Sequence, residues 1–265
     1  MANLSRKDRI GYALIVAVIL GFLGLIFVNY VLSNKGSTDE RGCTGSVIYK
    51  TAILIDRSDE TPLQTIDEIV SRTLRAVEAD ARENELISIF KITDSAQTSL
   101  KPVFVACKPK SDGNELYENR KTIQKKFKEE FLKPLNLALA EPANISESSP
   151  LAEVITDLSL SEYLDSEKAR LIVFSDMMQN SNNLSLYTCQ SRQEAVAYFR
   201  EQRAGALERP SFKNLQVILH IIPREGMARP TVQCRDGFWA WFLGDNEGND
   251  AGVDQKYLPG GATIK

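Results

Sequence analysis

Aspartate side chains follow two apolar segments of the chain. Residues 53–60 read ILIDRSDE, so Asp56 and Ser58 come directly after an apolar run, and residues 171–176 read LIVFSD, which ends on Asp176. In an open α/β sheet, ligands bind just outside the carboxyl ends of the strands. Carboxylate and hydroxyl oxygens suit a hard divalent cation such as Mg²⁺ or Ca²⁺. The pattern therefore predicts a cation site if the two loops converge.

The elements that must position these loops alternate between strands and helices. Apolar, β-branched runs predict strands at residues 47–55, 86–92, 103–107, 171–175 and 215–222. Helices are expected from Thr61-Pro62 and from Ser149-Pro150, since each pair offers an N-cap residue followed by proline. Alternation of this kind favours a doubly wound α/β fold with a mainly parallel sheet, and the polar loop after residue 92 is short enough to make the second and third strands an antiparallel edge hairpin. Residues 108–147 are expected to form a lysine- and glutamate-rich insertion with a solvated helix.

Over residues 46–245 the pattern resembles a von Willebrand factor A-like domain, the fold of integrin I domains. That family builds a metal-ion-dependent adhesion site from an Asp-x-Ser-x-Ser loop, a threonine and a later aspartate. The resemblance implies that Mg²⁺, or Ca²⁺ or Mn²⁺, is held by five residues of this chain. They are Asp56, Ser58, Glu60, Ser149 and Asp176.

The match to the family motif is partial. Glu60 stands in place of the second serine, Ser149 in place of the threonine, and Met177 in place of the usual glycine. The carboxylates of Asp59 and Glu60 could neutralise the cation from within the chain. A neutralised cation would bind acidic ligands more weakly. An alternative needs no metal, because Thr61 and Ser149 are good helix N-caps and acidic residues are favourable near a helix N-terminus.

An enzyme is not expected. His220 is the only histidine and lies within the apolar run VILHII, where a packed, hydrogen-bonded imidazole is favoured over a catalytic base. Nucleophile-elbow, P-loop, zinc-protease and dinucleotide-binding motifs are absent from the sequence. A metal-dependent hydrolase using the same acidic loops remains an alternative, with Asp59 or Glu60 as the base that activates water.

The first 45 residues predict a membrane anchor. Residues 10–32 are uncharged and apolar, and their length suits a membrane-spanning helix. Positive residues cluster in residues 1–9, which favours a cytoplasmic N-terminus. A linker at 33–45 would then lead to a folded domain at 46–265 in the periplasm or outside the cell, carried by a single-pass inner-membrane protein.

Four cysteines, even in number and far apart, predict disulfides in an oxidising compartment. Cys43 precedes the first strand, and Cys107 closes the third, which returns to the same end of the sheet. Cys189 and Cys234 follow the fourth and fifth strands near the opposite end. Because a disulfide needs Cα atoms within about 7 Å, the expected pairs are Cys43 with Cys107 and Cys189 with Cys234.

The function expected from these features is a binding or assembly module that engages a protein partner. A net charge of −3 does not favour nucleic-acid binding. Met177, Met178 and Trp241 are candidate partner contacts, because methionine and tryptophan are enriched at interfaces. For Trp241 a place in the core is the alternative. A metal-free structural scaffold of a membrane complex is the third functional alternative.

Overall fold

The computed structural model describes residues 6–33, 38–92, 100–113, 119–142, 145–206, 209–210, 215–244 and 253–259. The chain divides into two compact units, Met1–Asp39 and Glu40–Lys265. Parts of the predicted N-terminus, linker and insertion (1–5, 34–37, 114–118 and 143–144) lie outside the described residues. The predicted domain boundaries stay predictions.

In the first unit, the described residues form helix α1 (Arg6–Ser33). A helix needs about 20 consecutive apolar residues to cross a bilayer. Among the described residues, no helix is both long enough and apolar enough for that crossing. On this finding the predicted single-pass inner-membrane location, with its domain in the periplasm or outside, is wrong.

The second unit contains eight strands and six α-helices within its described residues, and two π-helical turns extend α2 and join α3 to α4. The strands are β1 (Tyr49–Ile55), β2 (Leu86–Lys91), β3 (Phe104–Cys107), β4 (Lys168–Ser175), β5 (Asn180–Ser181), β6 (Leu184–Ser185), β7 (Leu215–Ile221) and β8 (Val253–Tyr257). The helices are α2 (Leu63–Arg75), α3 (Arg120–Lys126), α4 (Lys133–Ala140), α5 (Leu151–Ser159), α6 (Arg192–Gln202) and α7 (Arg229–Phe242).

Six strands form the central sheet in the order β3-β2-β1-β4-β7-β8. Every neighbouring pair is parallel except β2 with β3, which is antiparallel. At the centre, Ile53 of β1 lies beside Ile89 of β2 and Ile172 of β4. The predicted mainly parallel sheet with one antiparallel edge hairpin is confirmed.

Successive residues of β1 face opposite sides of the sheet, as a strand requires. Ala52 and Leu54 pack in a core with α5, α6 and α7, whereas Ile53 and Ile55 pack in a second core with α2. The predicted doubly wound arrangement, with helices on both faces, follows from these two cores. The insertion is more than a solvated appendage, because it adds five buried side chains to the second core, those of Phe127, Phe131, Leu135, Ala138 and Leu139.

Both predicted disulfide pairs are confirmed. Cys43 and Cys107 have their Cα atoms 5.0 Å apart, and those of Cys189 and Cys234 are 6.1 Å apart. The first pair ties the segment before β1 to the antiparallel edge. The second ties the loop before α6 to α7, where Cys234 is a helical residue.

Candidate functional site

A buried carboxylate surrounded by hydroxyl groups lies at the carboxyl end of β1. The backbone N–H of Asp56 donates to the carbonyl of Phe174 on β4 (2.8 Å), which fixes the residue between the two central strands. Its Oδ1 accepts from the hydroxyl and backbone N–H of Ser58 (2.9 and 3.2 Å). Its Oδ2 accepts from the hydroxyls of Ser149 (3.0 Å) and Ser175 (2.8 Å). Both carboxylate oxygens are thus satisfied by protein donors.

Asp176 is held beside this group at the end of β4. Its Oδ1 accepts from the backbone N–H of Met178 (2.9 Å), and its Oδ2 accepts from Nη1 of Arg224, which follows β7. We call Asp56, Ser58, Ser149, Ser175 and Asp176 the carboxyl-end cluster. All five are buried.

Arg224 links this cluster to two outer residues. The same nitrogen, Nη1, donates to Oδ2 of Asp59 (2.6 Å) and to the hydroxyl of Tyr187 (2.8 Å). The guanidinium also lies 5.0 Å from the centre of the Tyr187 ring. Only 4% of the Arg224 side chain is exposed, so the charge is held inside the site. Charge-assisted contacts of this kind are the stronger hydrogen bonds of proteins.

The ionisation of the site reflects its burial. Burial raises the pKa of Asp56, against the opposing effect of its hydroxyl donors. Burial and the nearby charge of Asp56 raise the pKa of Asp176 to about 6. For Arg224 burial disfavours the charge, but the hydrogen bond to Asp59 and the charge of Asp176 outweigh it and raise the pKa. The arginine is therefore permanently charged, whereas the two aspartates resist losing their protons together.

Ser149 is positioned by the loop before α5 rather than used as a helix cap. Its backbone pairs in both directions with Asn180 of β5 (2.7 and 2.9 Å). The α5 N-terminus is instead satisfied by the side chain of Gln179, whose Oε1 accepts from the N–H of Ala152 (2.8 Å). Thr61 likewise makes no cap on α2 and donates to the carbonyl of Asp59 (3.1 Å). The alternative in which these two residues serve only as N-caps is wrong.

Of the five predicted metal ligands, the structure brings together Asp56, Ser58, Ser149 and Asp176. Glu60 is exposed, unlike the other four. The hydroxyl and carboxylate oxygens are hard ligands that Mg²⁺ would accept. They do not fit a resident divalent cation as they stand, because the guanidinium of Arg224 already pairs with Asp176 and would repel it. Within the described part of the chain, no three acidic, histidine or cysteine side chains form a group that could hold a metal.

The predicted partner contacts Met177 and Met178 are buried in the core, with 2% and 1% of their surfaces exposed. They are therefore not accessible to a partner, and the prediction is wrong for both. Met177 has a φ of 62°, a left-handed conformation that glycine favours. It stands at the position where the family that this sequence resembles usually has glycine. Its carbonyl accepts from the indole N–H of Trp239 (2.7 Å), which fixes the turn.

Trp241 is half-buried and packs partly against the core. Its ring lies 5.4 Å from the guanidinium of Arg200 and 5.1 Å from that of Arg209. Its role as a partner contact stays a prediction.

His220 lies on β7 and is packed as expected. Its ring stacks on Phe174 with centres 4.6 Å apart, and Nδ1 accepts from Arg72 (3.1 Å). Burial, followed by the charges of Arg72 and Lys256, lowers its pKa to about 4, so the imidazole is neutral at pH 7. Of the two residues predicted to activate water in a hydrolase, Asp59 is paired with Arg224, whereas Glu60 is exposed. That the chain is not an enzyme stays a prediction.

The residues that sequence reasoning missed are Ser175, Tyr187 and Arg224. A signal for Arg224 was present, because it lies in the short segment that follows the apolar strand β7, as the aspartates lie just after their strands. A search confined to acidic and hydroxyl residues overlooks a basic side chain at the same edge of the sheet.

No protein-family model matches the sequence, and a search of curated proteins finds no similar chain. Among solved structures, the SpRpn10 VWA domain is 10% identical, over 80% of this chain and 88% of that one, with a TM-score of 0.38. Human COPII-coat protein Sec24c is 12% identical, over 81% of this chain but 30% of that one, with a TM-score of 0.32. An aerotolerance-related membrane protein from Bacteroides fragilis NCTC 9343, carrying multiple mutations to serines, is 12% identical over 79% and 91%, with a TM-score of 0.31.

Proposed function

We propose that the Glu40–Lys265 unit is a von Willebrand factor A-like protein-interaction module that binds its partner at the carboxyl end of the sheet. The observation that carries this proposal is the state of Tyr187. The residue is 41% exposed, yet its hydroxyl accepts from Arg224 (2.8 Å) and donates to Asp59 (3.3 Å). A tyrosine fixed in this way presents apolar and polar surface together, with little side-chain freedom left to lose on binding.

A depression beside the cluster extends this surface. It has a volume of about 550 Å³ and is lined by residues 145–148 and 180–182. The bridge between Ser149 and Asn180 ties its two sides together, and Ser149 in turn bonds to Asp56. A partner seated there would contact mainly polar side chains, together with the exposed Ile145, which suits specific hydrogen bonding beside a small apolar contact.

Affinity capture with the full chain tests the proposal. A partner identified with the wild type is expected to bind Tyr187→Ala at least about tenfold more weakly, since buried tyrosine anchors carry a large share of interface energy. Tyr198→Ala is the matched control, because Tyr198 lies on α6 and is 47% exposed. Equal binding by both variants, or equal loss in both, contradicts a partner site at the carboxyl end of the sheet.

A further inference from the structure

The carboxyl-end cluster concentrates negative charge that needs compensation. Asp56 and Asp176 are buried within it, and Asp59 lies on its rim. Isolated carboxylates do not remain buried and ionised without a cation or a full set of hydrogen bonds. Asp56 receives four hydrogen bonds, but Asp59 and Asp176 share a cation, the guanidinium of Arg224.

The contacts of Arg224 converge on one atom. Three oxygens, from Asp59, Asp176 and Tyr187, surround its Nη1. Carboxylate and hydroxyl oxygens gathered around one positive centre form the kind of shell that a hard cation collects. Here the centre is covalently part of the chain and lies shortly after β7.

We infer that Arg224 takes the place of a divalent cation in this cluster. The wild-type domain therefore holds the cluster together without Mg²⁺, Ca²⁺ or Mn²⁺. When the arginine charge is removed, the cluster becomes a divalent-cation site. Without the guanidinium, the carboxylates of Asp59 and Asp176 and the hydroxyl of Tyr187, which surround its Nη1, remain together. That set has the oxygen ligands and the excess negative charge that such a cation binds. It also lacks the positive charge that repels one.

An arginine in place of a cation changes how this surface would recognise a partner. A metal site captures a partner's carboxylate at an open coordination position. Arg224 offers no such position, because it is buried and already pairs with two carboxylates of its own chain. Binding to this surface would therefore proceed without a shared metal ion.

Thermal unfolding of the full chain, in EDTA and in millimolar Mg²⁺, Ca²⁺ or Mn²⁺, tests the inference without any partner. The wild-type midpoint is expected to stay the same in all four conditions. Arg224→Met, which keeps much of the side chain's volume but not its charge, is expected to melt lower in EDTA and to regain several degrees with at least one cation, because a ligand bound only to the folded state stabilises it. Adding Asp176→Ala to Arg224→Met should abolish the regain, because Asp176 is one of the carboxylates that Arg224 pairs with.

Arg224→Lys is the charge-preserving control and is expected to be insensitive to all three cations. A cation-dependent rise in the wild-type midpoint would overturn the inference, whether or not the Arg224→Met variant folds. The inference would also be overturned if a folded Arg224→Met variant kept the same unfolding midpoint with all three cations and gave no heat in calorimetric titration with them.

Discussion

Asp176 illustrates how one buried group sets the pH response of this site. Its pKa is raised to about 6, so the folded chain holds the proton more tightly than the unfolded chain does. Protonation therefore stabilises the fold as the pH falls from 7 through 6 towards 4, by up to about 3 kcal/mol. Asp176→Asn should remove this gain, as measured by urea unfolding at pH 7.5 and pH 5.

Protonation of His220 has the opposite effect on the stability of the fold. Its contribution has to be distinguished from that of Asp176 in the same experiment. Its pKa is lowered to about 4, so the folded chain binds this proton less tightly, and stability is lost as the pH falls from about 6.5 to 4. The charged side chains that act on it are those of Arg72, Lys256, Asp254 and Glu68. The wild type should therefore change little between pH 7.5 and 5, whereas Asp176→Asn should lose stability on acidification.

Asp67→Asn is the control for this prediction, because Asp67 is an exposed aspartate on α2. It should follow the wild type at both pH values. If Asp176→Asn also followed the wild type, the Asp176 proton would not be bound more tightly in the folded state.

At the scale of elements, the turn after β4 combines backbone strain with buried side-chain packing. Met177 has a φ of 62° and is 2% exposed. The left-handed conformation costs a non-glycine residue about 1–2 kcal/mol, whereas removal of a buried methionine side chain costs about 2–5 kcal/mol. Packing outweighs strain, so Met177→Gly should lower the free energy of unfolding by about 1–3 kcal/mol.

Urea unfolding measures this difference. Met177→Leu, which keeps most of the buried volume in the same backbone conformation, should cost less than about 1.5 kcal/mol. A Met177→Gly variant more stable than the wild type would mean that strain is the larger of the two effects.

At the scale of the whole molecule, two disulfides hold opposite parts of the second unit together. The paired cysteines are 64 residues apart in one case and 45 in the other. A disulfide restricts the unfolded chain by an amount that grows only with the logarithm of this separation. Cys43→Ser/Cys107→Ser and Cys189→Ser/Cys234→Ser should therefore each cost about 2–4 kcal/mol, with similar values.

Chemical denaturation of the oxidised protein checks these values, and the reduced wild type should be less stable than either double variant. Four free thiols in protein purified without reductant would contradict both pairings. Peptides linking Cys43 to Cys189 would contradict the topology on which they rest.

Much of the sheet was predictable from local sequence, because buried parallel strands are nearly continuous apolar runs. The same runs placed Asp56 and Asp176 at strand ends, and topology together with the reach of a disulfide paired the cysteines. The short hairpin of β5 and β6 was not predictable, since strands of two residues carry no periodic signal.

The sequence by itself determined five of the six strands of the central sheet, which aspartates meet at its edge and which cysteines pair. Only the tertiary structure decided how the charges of that edge are balanced. Arg224 is 48 residues from Asp176 and 165 from Asp59, and Ser149 gives its hydroxyl to Asp56, 93 residues away, instead of capping its own helix. These partners are selected by the packing of β1, β4 and β7 side by side, which brings together side chains whose local sequence carries no information about one another.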